Sequence, residues 1–208
     1  MGTRYTDGGH ELLSNGNVKT KLGAKSIDNN PDGAGSIPAA MASYVTATEK
    51  GDGVFRQTTL TLSAVPLTVR DTEQGGGVQI YTFPAGRIGH IGSSASLAVT
   101  TTSALASTLN ASKTCQIGMG TVTQANATLA TTEQDLINNT AFTSSATVDV
   151  ASATVAGVGL GSLTPHDGTS TAIAGFLNVA VATAEDIDAD ATVTVSGTIT
   201  LTYVVIDV

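Results

Sequence analysis

The sequence predicts an all-β protein, a two-sheet sandwich of jelly-roll type led by an extended N-terminal arm. Three observations carry that expectation. Hydrophobic residues make up 41% of the 208 residues, yet aromatics are only 4% and Trp is absent, so the core has to be assembled from Val, Ile, Leu and Ala. Charged residues are 12%, about half the usual share, and Thr, Ser, Ala and Gly are abundant instead. Thr and Val crowd a helical turn and Gly loses too much backbone entropy there, so this mixture favours short strands and tight turns. From Val54 onward, apolar residues also recur at every second position, the period of a half-buried strand.

Residues 1–50 have a different texture. "SNGNVKTKLGAKSIDNNPDGAGSIP" is dense in turn formers, with few large apolar residues and no sustained period. It reads as an arm that is either disordered or laid against another surface, because it cannot support a core of its own. Within the arm, Pro38 can open one helical turn at "PAAMASYV", which places Met41 and Tyr44 on one face.

Residues 51–208 form the sandwich domain. In "VFRQTTLTLSAVPLTV", Leu60, Leu62 and Ala64 alternate with Thr59, Thr61 and Ser63, and Pro66 then marks an edge or a bulge. A turn over Asp71–Gly77 leads into "VQIYTF", and "PAGRIGHIGSSA" reads as a loop. Further strands at about 95–101, 114–123, 145–156, 174–183 and 191–207 bring the total to roughly eight. The last is the clearest. Val193, Val195, Ile199, Leu201, Tyr203 and Val205 share one face and Thr194, Thr198, Thr200 and Thr202 the other, while Gly197 predicts a bulge or the close approach of another chain. "TTEQDLINN" predicts one short helix capped by Thr132, with Glu133 and Asp135 at its positive end.

Charge is uneven along the chain. All nine Lys and Arg lie between Arg4 and Lys113, where eight acids leave +1, and from Thr114 onward nine acids and no base give −9. A surface of that sign repels phosphate backbones and anionic lipid, so neither nucleic acid nor membrane is an expected partner. Cys115 is the single cysteine and reads as a buried thiol. The start "MGTRYTDGGHELL" carries no basic-then-apolar signal, and no apolar run reaches the roughly 18 residues of a membrane helix, so synthesis in a cytoplasm is expected.

Chemistry is sparse. Asp186, Asp188 and Asp190 look like a cation loop, but an EF-hand needs Gly at its sixth position and an acid at its twelfth, and here those are Ala191 and Gly197. The segment reads as a hydrated connection between strands, with a weak cation site from Glu185 and the three aspartates as the alternative. His10, His90 and His166 sit in unrelated contexts, without a second ligand at metal spacing. "GVGLGSL" lacks the Lys of a phosphate loop and reads as a flexible loop. Arg70, Asp71, Glu73, Arg87 and His90 are the densest polar group, where an enzyme would present acid and base, although ion pairs across a loop fit equally well. No catalytic residue, metal or cofactor is expected, and the protein is not read as an enzyme.

The strand texture of "TLTLSAVPLTVRDTEQGGGVQIYTFPAGRIGHIGSSASLAV" and "LNVAVATAEDIDADATVTVSGTITLTYVV", with the Thr/Ala/Gly-rich stretch between them, resembles capsid decoration or cement proteins of tailed bacteriophages over residues 54–208. The resemblance implies a virion structural protein made in the host cytoplasm. It would bind the major capsid protein lattice on the outside of an icosahedral head and stabilise it. It also implies a homo-oligomer, a trimer ahead of a dimer. On that reading Arg4, Tyr5, Lys19, Lys21 and Lys25 of the arm contact the capsid while the acidic half faces solvent. The competing reading is a tail-fibre, baseplate or cell-surface adhesion module on the same kind of sandwich.

Overall fold

The computed structural model describes residues 4–5, 10–12, 18–20, 35–51, 54–101, 114–143, 148–150, 154–155, 165–182, 187 and 189–207. Among the described residues, fourteen strands follow one another. β1 (Arg4–Tyr5), β2 (His10–Leu12) and β3 (Val18–Thr20) pair antiparallel in a small sheet. The sandwich is built from β4 (Val45–Gly51), β5 (Phe55–Val69), β6 (Gly75–Thr82), β7 (Gly86–Thr101), β8 (Thr114–Gly120), β9 (Ile137–Thr143), β10 (Val148–Val150), β11 (Thr154–Val155), β12 (Pro165–Gly168), β13 (Ala174–Val181) and β14 (Ala191–Asp207).

Two antiparallel sheets face each other. One has the order β4-β5-β14-β7, with β10, β11 and β12 in succession along the outer side of β7; the other has the order β6-β13-β8-β9. The pairing is nested: β8 with β9, β7 with β10 to β12, β6 with β13, and β5 with β14. A long folded hairpin of this kind, whose successive strands cross between sheets, is a jelly roll, so the predicted fold class holds. β4 is an additional fifth column beyond that plan.

The alternation read in β14 is the alternation observed. Val193, Val195, Ile199, Leu201, Tyr203 and Val205 are all buried in one continuous core with Leu60, Leu67, Ile80, Ile88 and Val99. Each such aliphatic side chain contributes about 1.5–3 kcal/mol when fully buried, and this chain has no Trp to substitute for numbers. Gly197 does mark a bulge. The register between β14 and β5 shifts between Val195 and Gly197, Gly197 has φ +135, and a Cβ there would lie 2.1 Å from the Ser96 carbonyl oxygen. Opposite it, Ala64 takes φ +51 and donates its N–H to Ser196 Oγ at 2.8 Å. Ala64 is therefore exposed, and the buried phase of β5 slips by one residue to Val65, Leu67 and Val69. Pro66 follows on the stretch of β5 that β4 does not reach, an edge position where a missing N–H costs nothing.

Four expectations need correction. "PAGRIGHIGSSA" is mostly strand, the first half of β7, because Ile88 and His90 point into the core and Gly86 and Gly89 pair with β12. The helix at "TTEQDLINN" reduces to one 3-10 turn at Thr131–Glu133 with Ala130, not Thr132, before it, and the chain then enters β9. The turn after β5 is only Asp71–Gln74, so the triple glycine already belongs to β6. The sandwich begins at residue 35 rather than 51: a 3-10 turn at Ala39–Met41 buries Met41, and β4 pairs with β5 from Val45↔Leu62 to Gly51↔Arg56. Residues 157–163 of the glycine loop, and Glu185, Asp186 and Asp188, lie outside the described residues.

Candidate functional site

The densest buried chemistry lies where the N-terminal segment enters the sandwich. Arg56 and Thr58 are in phase with Leu60 and Leu62, so strand alternation aims them inward; Glu49 on β4 meets them from the neighbouring strand. Glu49, Arg56 and Thr58 are buried, at 5%, 3% and 0% exposure. Arg56 Nη1 donates to Glu49 Oε1 at 2.8 Å. Glu49 Oε2 accepts from the Tyr81 hydroxyl at 2.7 Å, the Thr58 hydroxyl at 3.1 Å and the Gly35 backbone N–H at 3.2 Å. The Tyr203 hydroxyl lies 3.2 Å from both Thr58 Oγ1 and the Tyr81 hydroxyl, and the ring of Phe83 stands edge-on between the two tyrosines at 5.1 Å.

A buried carboxylate is costly unless its oxygens are satisfied, and here both are. Burial pushes the Glu49 carboxyl up, but the hydrogen bonds from Tyr81, Arg56, Gly35 and Thr58 outweigh it and hold it below the ordinary carboxylate value. Burial pushes the phenols of Tyr81 and Tyr203 up, Tyr203 to about 12, so both stay protonated and serve as donors. The cluster joins β4, β5, β6, β14 and the segment at Gly35. Ser36 completes the junction by bridging Thr82 with two 2.8 Å backbone hydrogen bonds. What the arrangement does is mechanical: it ties Gly35 and Ser36 to both sheets, through Glu49 of β4 and Thr82 of β6.

The predicted capsid-contact residues precede that junction in the sequence. Arg4 and Tyr5 are in β1, and Lys19 is in β3; Tyr5 pairs with Glu11, which in turn pairs with Lys19. The arm thus contains a three-stranded meander, whose strands are two or three residues long and lack the sustained period that makes a strand visible in sequence. Lys21 and Lys25 lie outside the described residues.

The polar group of Arg70, Asp71, Glu73, Arg87 and His90 is not one site. Arg70 closes the end of β5 near Ala191 and reaches Glu73 at 3.4 Å, both on the surface, whereas Arg87 sits opposite Asp207 at the other end of the sheet. His90 is buried at 4% exposure with Nε2 unpaired, and burial, then the neighbouring His166, lowers its pKa to about 4. His166 Nδ1 is 3.9 Å from Asp135, whose carboxylate accepts from the Thr121 N–H and hydroxyl at 2.8 and 2.7 Å. Asp190 accepts the Asp71 N–H at 2.9 Å, so this member of the aspartate run ties the β5–β6 turn to the start of β14. Among the described residues no three His, Cys, Asp or Glu side chains converge as a metal site, and no helix is long and apolar enough to cross a membrane.

Sequence reasoning passed over Glu49 because the arm was drawn through residue 50. The available signal was parity: Val45 and Glu49 are in step, as are Arg56 and Leu60. No protein-family model matches the chain, and no curated protein matches it.

Proposed function

We propose that the protein is a virion structural protein, a capsid decoration or cement protein that binds the outer surface of an icosahedral phage head. The observation that carries the reading is the clamped root of the leader. A rigid aliphatic jelly roll holds Gly35 and Ser36 through Glu49 and Thr82, so a grip exerted by residues 1–34 is transmitted directly to both sheets. The sequence resemblance supports the same role, and the leader's basic residues Arg4, Lys19, Lys21 and Lys25 supply charge that the second half of the chain lacks. Many copies on a lattice make each further contact effectively intramolecular, which offsets the cost of ordering a leader on each.

The test is co-sedimentation of the full chain with undecorated, expanded phage heads, beside a variant carrying Arg4→Glu, Lys19→Glu, Lys21→Glu and Lys25→Glu. The native chain should pellet with heads and the variant should stay in the supernatant. Retention of the variant rejects the role of the leader, and a native chain that never pellets rejects the capsid reading.

A further inference from the structure

We infer that β4 is a self-pairing edge, joining β4 of a second copy across a twofold axis to make one continuous sheet. Among the described residues no strand lies on the outer side of β4. The Tyr44 carbonyl accepts the Ser63 N–H, so in the alternation of an antiparallel pair Thr46, Thr48 and Lys50 bond to β5, and Val45, Ala47 and Glu49 turn their N–H and C=O groups outward. An open row of this kind is a template for another strand.

Three further features point to a copy of the same chain. First, β4 is the fifth column of a sheet facing one of four, and Ala47 is exposed although it lies on the core-facing side between buried Val45 and Glu49. Second, β4 lacks the usual protection: it has no Pro and no register shift, and Lys50 is its only exposed charge, whereas the edge of β6 is bridged by Ser36 and Arg70 and β9 lies against β10 and β11. Third, the strand is self-complementary. A twofold centred on Ala47 is the one centre that pairs all three outward-facing residues, Ala47 with itself and Val45 with Glu49. It sets Thr46 opposite Thr48 of the second copy, and Lys50 falls opposite Tyr44 rather than another lysine. Such a contact is isologous and closes at two copies, so it predicts a dimer where the sequence resemblance implies a trimer ahead of a dimer. The inference does not depend on the capsid reading.

Sedimentation velocity over a concentration series tests it on the full chain. The native protein should show a concentration-dependent dimer. Ala47→Pro removes an N–H that makes no bond within its own sheet, so the dimer boundary should vanish while the far-ultraviolet circular dichroism is unchanged. A second variant, Thr46→Cys with Thr48→Cys, places the new thiols opposite each other in a non-hydrogen-bonded pair and should oxidise to a covalent dimer. A native chain that is monomeric throughout, a dimer that survives Ala47→Pro in folded protein, or a double-cysteine variant that yields no covalent dimer overturns the proposal. The cysteine result decides alone if the proline variant fails to fold.

Discussion

Glu49 accepts four hydrogen bonds, three of them buried and the fourth, from Gly35, part-buried. Glu49→Leu should therefore cost about 3–5 kcal/mol in urea unfolding, the range for removing one partner of a buried pair. The carboxyl is held below its ordinary value, so it contributes stability that is fully present above that value and is lost as pH falls through the lowered one. His90 has a separate signature. Its folded pKa of about 4 lies below the usual 6.5, so between these values the unfolded chain binds the extra proton and stability declines as pH drops. In His90→Leu the unfolding midpoint should vary less with pH across that window, and an unchanged slope would show that the imidazole does not carry it. Ala64 has φ +51, which costs an L-residue roughly 1–2 kcal/mol, so Ala64→Gly should raise the unfolding midpoint despite adding freedom to the unfolded chain.

At the level of single elements, β14 has the most to lose, because it is bonded on both sides, to β5 and to β7. Its bulge depends on Gly197, where a methyl group would meet the backbone of Ser96 at 2.1 Å and φ is +135. Gly197→Ala should destabilise by about 3 kcal/mol through strain and displaced backbone, read as a lowered urea midpoint. Glycine in the middle of the clearest strand was a legible signal for this. β5 and β14 were visible in the sequence because they are buried on one face only, so period two survives in both. β7 was half hidden: its "GRIGHIGSS" half intersperses Gly and Ser among Arg87, Ile88 and His90, and that composition imitates a loop although the whole stretch pairs with β12 or β14. β4 was hidden for another reason. Its inward positions hold Val45, the exposed Ala47 and Glu49, and an inward carboxylate reads as a surface residue until its partners across the sheet are known.

For the whole molecule, nested pairing decides properties that no local stretch shows. β5 and β14 are neighbours although well over a hundred residues separate them, so closure of the sandwich requires long-range contacts and folding should fall in the millisecond-to-second regime of β-sandwiches. The same nesting mixes the two halves of the chain: each sheet draws strands from both, and Arg87 of the first half lies opposite Asp167 and Asp207 of the second. The charge imbalance along the sequence is therefore not a separation between two poles of the fold. Fold class was legible from composition and period, whereas the site was not, because Glu49, Tyr81 and Tyr203 converge only when the hairpin folds over. β5 has one further consequence. Fifteen residues long, it runs from the junction at Arg56 to the tip at Asp71–Gln74, a span of about 45 Å at the usual rise per residue. A fluorophore, epitope or affinity tag grafted at that distant corner would sit far from the Glu49–Arg56 junction and leave its hydrogen bonds undisturbed.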